Sequence, residues 1–417
     1  MLALLTALYW IAVVVGLLGL CAFLSGRYFH LETEPHMVTF ARTVDGWRLA
    51  LRRYQPGEPV KDAPPLLLCP GLGMSGEVFD AGDVSLARYL SAQGYDVWVL
   101  DFRGRGRSSR PRLWGRYRPN WSFDEYLEFD LPAALAEIRG RTGASEVSWV
   151  GFGGGALAML AVVAEREGPR LGRGVALAAP AYFRRQSEHI SPWLVRLLRF
   201  VPSRALVALA APLLGRVNLP PFRWLCHADN VDGTIYRRVM VTAFSGCAPK
   251  ELDQLADWLE RDVLTGFDDG RDYRKELARI ELPVLLISGP RDRLAPPSMV
   301  QETFETLEHA RDKQLVVAGR LGGMSANYGH LDLLIGRNAP RDVFPLIARW
   351  LERRAEEQPG ASAASERPPA AGEVVPEVSS PAGASETGAA TVQGAASDAP
   401  GLDPSSAQTA RPEGVPF

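Results

Sequence analysis

The chain is poor in lysine: Lys61, Lys250, Lys275 and Lys313 are the only ones among 46 basic residues. Positive charge is therefore almost all arginine, a compositional habit from which no function follows. Against 48 acidic residues the formal net charge is −2 and the pI about 6.4, so no global field draws nucleic acid to the surface. Cysteine is equally sparse. Cys21, Cys69, Cys226 and Cys247 make neither a metal-ligand spacing nor a disulfide framework. Cys226 and Cys247 have the option of pairing, but free, partly buried thiols are expected. His30, His36, His189, His227 and His309 form no metal spacing, and no metal or other cofactor is expected.

Apolar sequence, by contrast, is plentiful: 47% of the 417 residues are hydrophobic, enough for one large core. The first apolar run, from Leu2 to Leu24, carries no charge and suits one bilayer-crossing helix of about 20 residues. A cleaved signal peptide needs a basic start and a small-residue cleavage site. No Lys or Arg precedes Leu5, and Leu20 stands before Cys21, where a lipoprotein signal requires a small residue. An uncleaved single-pass anchor over residues 1–29 is the expectation. Basic residues flank it only C-terminally (Arg27, then Arg42, Arg48, Arg52 and Arg53), which by the positive-inside rule puts the globular part in the cytoplasm. At the other end, residues 355–417 turn to Ala, Pro, Gly, Ser and Glu, the composition of a disordered tail.

Residues 30–354 alternate strand and helix signals. His36–Tyr54 alternates around Asp45-Gly46, a hairpin pattern. Pro65–Cys69, Tyr95–Leu100, Val147–Val150, Gly174–Ala178, Val284–Ile287 and Gln314–Val317 read as strands. Leu86–Ala92, Asp124–Arg139 and Val343–Arg354 read as helices. That alternation predicts an α/β fold with a doubly wound, mostly parallel sheet. It is interrupted over about 180–279, where Ser191–Val217 is Leu, Val, Trp and Arg at helical spacing, broken by Pro202 and Pro212. This predicts a helical cap over the C-terminal strand ends, where open α/β sheets bind ligands. An amphipathic cap that also touches a membrane is a second possibility.

The stretch that organises the chain is Glu146–Val163: an apolar strand, the cluster Gly151-Phe152-Gly153-Gly154-Gly155, then an Ala/Leu/Met helix. Strand, sharp turn and helix have the form of a nucleophile elbow, G-x-S-x-G, with Gly153 at the serine position. Three further pieces fall in the order that such a site needs. Pro70-Gly71-Leu72 follows the first core strand, Asp292 follows strand Val284–Ile287, and His330 precedes the last helix.

These residues resemble the α/β-hydrolase fold family, in its acid-lipase-like branch, over residues 36–354. Trp121-Ser122-Phe123-Asp124-Glu125 with Asp130-Leu131-Pro132-Ala133 is similar to that branch's pattern before the elbow. So are His330-Leu331-Asp332 with Ala339-Pro340. Ser85-Leu86-Ala87 and Gly94-Tyr95-Asp96-Val97-Trp98 fit as well. The resemblance implies Asp292 as acid, His330 as base, and the N–H groups of Leu72 and Gly154 as the oxyanion hole. Three positions depart from it: Pro70 where members carry His or Gln, Phe152 where they carry His, and Gly153 where they carry Ser.

Glycine has no hydroxyl for a base to activate, so no acyl-enzyme can form at Gly153. Ser75, Ser148, Ser108 and Ser109 are the nearest hydroxyls in sequence to the site loops, each with a plain structural role as its alternative. The arginine loop Asp101–Arg110 resembles the family's D-x-R-G-x-G-x-S connection rather than a phosphate site. Gly151–Gly155 is followed by no Lys-Ser/Thr and is not a phosphate loop. Two functions stand: a membrane-anchored pseudoenzyme binding a lipid-like or acyl ligand or an unnamed protein partner, or a serine-independent hydrolase using His330, Asp292 and water or a relocated nucleophile.

Overall fold

The computed structural model describes residues 1–60, 62–110, 120–164, 171–184, 190–216 and 222–353. The expected tail at 355–417 lies outside the described residues. One eight-stranded sheet carries the architecture. β1 (Met37–Arg42) and β2 (Arg48–Tyr54) form the antiparallel hairpin around Asp45-Gly46. β3 (Leu66–Cys69), β4 (Val97–Leu100), β5 (Val147–Phe152), β6 (Leu171–Leu177), β7 (Val284–Ser288) and β8 (Lys313–Val317) run parallel to one another. Their order across the sheet is β1-β2-β4-β3-β5-β6-β7-β8.

Every residue of β3, β4 and β5 is buried. Strands covered on both faces need apolar residues throughout, which is why Leu-Leu-Leu-Cys and Val-Trp-Val-Leu read as unbroken apolar runs. β6 starts at Leu171, three residues ahead of the expected Gly174. Leu171 pairs with Val147, and the register then shifts before Gly174 pairs with Trp149. Such an irregularity inserts a residue without altering the apolar pattern, so the pattern alone does not reveal it.

α1 (Leu2–Tyr28) stands ahead of the sheet in the chain, and α2 (Leu86–Ala92), α3 (Leu131–Thr142) and α4 (Gly154–Val163) flank the sheet before the insertion. The helical stretch begins at Asp124 as expected, passes through a π-helical turn at Tyr126–Asp130, and continues as α3 beyond the expected Arg139 to Thr142. Between β6 and β7 lie α5 (Pro192–Leu197), α6 (Ser203–Ala210), α7 (Gly233–Ala243) and α8 (Pro249–Arg261). Pro202 stands just before α6 and Pro212 just after it, as ring-locked residues without an N–H do at helix boundaries. α9 (Pro297–Thr306) and α10 (Phe344–Glu352) complete the outer layer.

α1 is long and apolar enough to cross a membrane, and nearly all of it is exposed. It runs past Leu24 to Tyr28, its partly covered residues concentrated at Ala22, Ser25 and Gly26, and α6 packs alongside it.

Candidate active site

At the end of β5 the chain reverses within one residue. Gly153 sits at φ +51°, ψ −121°, its N–H donating to the Leu177 carbonyl at 2.8 Å. Its own carbonyl accepts from Ala156 and Leu157, both at 3.1 Å, which starts α4. That φ is strained for any residue with a Cβ. The neighbouring glycines are needed for a different reason, which is space. A Cβ at Gly151 would stand 2.4 Å from the Ala156 Cα, and one at Gly155 would stand 2.2 Å from the Pro70 carbonyl oxygen. At Gly153 the position of a Cβ is open, and its nearest neighbour is His330 Nε2 at 3.7 Å. A hydroxyl one bond further out would come within hydrogen-bond range of that nitrogen.

His330 and Asp292 meet there. The His330 Nδ1 lies 2.8 Å from Asp292 Oδ2, while Asp292 Oδ1 accepts the Leu294 and Ala295 N–H groups at 2.8 and 2.7 Å. Asp292 is buried, and two backbone donors fix its carboxylate in the orientation that holds the imidazole. The Phe152 ring packs on His330 with centroids 4.7 Å apart, an apolar neighbour for the imidazole. Asp332, two residues after His330, is turned elsewhere: it accepts from Gly329 N–H at 2.8 Å and Asn230 Nδ2 at 2.6 Å. Burial pushes its carboxyl up from the ordinary carboxylate range, opposed by those donors.

Leu72 and Gly154 lie together across the turn, close enough that a Cβ on Gly154 would strike the Leu72 side chain. Gly154 N–H is one of the unpaired donors at the start of α4. Leu72 N–H has no acceptor among the described residues.

These groups line a cavity of about 200 Å³. Its walls come from the loop after β3 (Gly71, Leu72, Met74), the elbow, Ala178 and Pro180 after β6, and the insertion (Met240, Phe244, Leu255, Trp258). His330 is its sole titratable lining residue among those described. The insertion is held down at this point: Met74 bridges to Phe244, and Ser75 N–H donates to the Ala243 carbonyl at 2.8 Å.

None of the four alternative serines lines this cavity. Ser75 is fully buried, its hydroxyl held by Glu77 and by the Ala243 carbonyl. Ser108 spans from the Ala50 N–H to the Asp101 carbonyl at 2.8 and 2.6 Å. Ser109 bonds through its backbone to Arg48 and Gly104. Ser148 sits at the opposite end of β5 from the elbow.

The arginine loop is structural. Arg103 pairs with Asp130 and Asp45, both at 2.7 Å, and Arg105 is buried against Glu251 at 2.7 Å. Glu251 also accepts the Tyr126 hydroxyl and the Ala248 N–H at 2.6 Å. This network, unforeseen from sequence, ties the loop after β4 to the start of α8. Asp124 adds a second tie, accepting from Gln254, Tyr273 and the Phe267 N–H at 2.8, 3.1 and 2.6 Å. The Trp-Ser-Phe-Asp signature pointed to this place, but not to its partners more than a hundred residues away. All four cysteines are free thiols.

The family model described as the alpha/beta hydrolase fold matches residues 64–325, more than half of the chain. The chain belongs to the α/β-hydrolase fold family. Within that family it is similar to lipases. Triacylglycerol lipase 2 of Arabidopsis thaliana is 24% identical over 390 residues, covering 81% of this chain and 88% of that protein. Lipase member K of Homo sapiens is 23% identical, covering 76% of this chain and 87% of its own length. Among solved structures, a hydrolase from Pseudomonas aeruginosa PA01 superposes with a TM-score of 0.52 at 18% identity, covering 76% of this chain and 98% of its own. An esterase from Exiguobacterium antarcticum gives 0.51 at 15% identity, covering 76% of this chain and all of its own. At those identities the structures speak for the fold alone. This α/β-hydrolase-fold chain has the family's sheet, and its His330–Asp292 pair faces Gly153.

Proposed function

We propose that this chain is a membrane-anchored hydrolase-fold protein that binds a lipid-like or acyl ligand in the elbow cavity without forming an acyl-enzyme. The observation that carries the reading is position 153, which faces His330 Nε2 and bears no hydroxyl. Loss of the nucleophile from a serine hydrolase removes on the order of 10⁶ of kcat. The apolar lining supports an acyl ligand, as does the kinship with proteins named as lipases. A volume of about 200 Å³ falls below the about 300–1,000 Å³ of drug-sized pockets, which favours an acyl chain over a whole triacylglycerol. α1 supports the anchor, and Arg27 on its C-terminal flank favours a cytoplasmic globular part.

The test compares the full chain in detergent with its Gly153→Ser variant on short and medium acyl nitrophenyl esters and a fluorophosphonate probe. The wild type is expected to be silent and Gly153→Ser to turn over and label. Turnover by the wild type would overturn the binding reading. A second reading has one observation in its favour: the intact His330–Asp292 pair, which can activate water. It requires wild-type turnover that disappears in His330→Ala.

A further inference from the structure

α5 is amphipathic in the reverse sense for a helix on a water-facing surface. Its polar side is spent on α8: Arg196 reaches Asp257 at 2.6 Å and Glu260 at 2.7 Å, and Arg199 just beyond it reaches Asp253 at 3.1 Å. Outward stand Trp193, Leu194 and Leu197, at i, i+1 and i+4 on one face, and the 3₁₀ turn that follows exposes Leu198 and Phe200, the latter 76% exposed. A surface helix in water places its charges outward and its leucines inward, and a contiguous exposed apolar ridge marks an interaction surface. The ridge does not end with α5. α6 follows it, packs on α1, and exposes Leu206.

A second, independent feature lies where α1 ends. Tyr28 and Phe29 line a cavity of about 320 Å³ together with Arg216, Arg237 and Arg238, and no carboxylate takes part in that lining. Arg237 lies 5.7 Å over the Phe29 ring and donates to the Leu214 carbonyl at 3.0 Å. Arg216 and Arg238 have no carboxylate partner among the described residues. The contrast is a larger cavity of about 420 Å³, where Arg107, Arg110 and Arg204 face Glu32, Glu34 and Glu77 and no net charge results. Cations gathered at the end of an apolar span stand at the depth of lipid headgroups, where each Lys or Arg gains from an anionic leaflet. Trp and Phe side chains favour the same depth.

We propose that the α5–α6 ridge lies in the interfacial layer of the bilayer crossed by α1, with Arg216, Arg237 and Arg238 holding anionic phospholipid headgroups. This rests on the anchor role proposed for α1. It adds that the globular part lies against the membrane instead of hanging from it. Ile190 lines the elbow cavity, and α5 begins two residues later at Pro192. Cavity wall and membrane-facing ridge are thus one continuous segment, which would bring an acyl ligand from the leaflet rather than from water.

The experiment places the full chain, one copy per disc, in nanodiscs whose phosphatidylcholine is brominated, with and without phosphatidylglycerol. Tryptophan emission is compared for wild type, Trp10→Phe and Trp193→Phe, both exposed positions that the fold does not need. Each substitution is expected to remove a lipid-quenched component, and quenching at Trp193 is expected to deepen with phosphatidylglycerol. Replacing Arg216, Arg237 and Arg238 by Gln is expected to abolish that deepening. An unquenched Trp10 would sink the anchor itself, and the ridge proposal with it. A quenched Trp10 beside an unquenched Trp193 would overturn the ridge proposal alone. Shielding of Trp193 only in discs holding two copies would assign the ridge to a second copy and overturn it as well. Deepening that survives the triple Gln variant would overturn the headgroup role of the arginines.

Discussion

Gly153 stands in a backbone conformation that a serine tolerates only under strain, of order 1–3 kcal/mol. Gly153→Ser is therefore expected to lose about that much stability while gaining turnover, opposite signs that thermal unfolding and an ester assay measure on one sample. His330→Ala on that background is expected to lower the regained rate by on the order of 10⁴ or more, since nucleophile and base act as a unit. The adjacent glycine answers to packing instead. Gly155→Ala puts a methyl into the Pro70 carbonyl, where a shift of the whole loop after β3 is the only relief. It is expected to cost about 3 kcal/mol, read as a lowered midpoint in denaturant. A Gly155→Ala variant as stable as wild type would mean that the elbow does not pack on that loop as described.

Between elements, the covering helices of the insertion are fixed by polar ties buried in an otherwise apolar contact. Glu251 serves Arg105, Tyr126 and the Ala248 N–H at once, and neither charge is open to water. Removing one partner of a buried pair leaves the other uncompensated, at about 3–5 kcal/mol. Glu251→Ala is thus expected to lower the unfolding midpoint far more than Asp253→Ala on the same helix, whose partner Arg199 is partly exposed and worth at most about 1 kcal/mol. Equal effects would show that α8 is held by its apolar side, Trp258 and Leu259, and not by the tie.

For the molecule as a whole, what matters is where the exposed apolar surface lies. The sheet and its flanking helices bury their apolar residues, whereas α1 and the outer side of α5 do not. In water that surface would drive association. Membrane fractions washed with alkaline carbonate are expected to retain the chain, because a span of about 20 apolar residues holds far more strongly than an interfacial contact. Release into the wash would refute the anchor.

Much of this was legible along the chain because it depends on local pattern. Buried parallel strands must be apolar throughout, so β3, β4 and β5 announced themselves. A strand–glycine–helix junction is one contiguous segment, so the sharp turn at Gly153 did as well. The charge-free run of α1 needs no partner to be recognised. Tertiary structure alone decided what depends on residues far apart. It brought Asp292 to His330 and turned Asp332 away, showed that Ser75 is occupied by Glu77, and joined Arg105 to Glu251 across 146 positions. It also gave α5 its outward leucines, because Arg196 and Arg199 found their acids on α8. Helical periodicity gives the faces of an element, but only the packing of the whole chain decides which face is left uncovered.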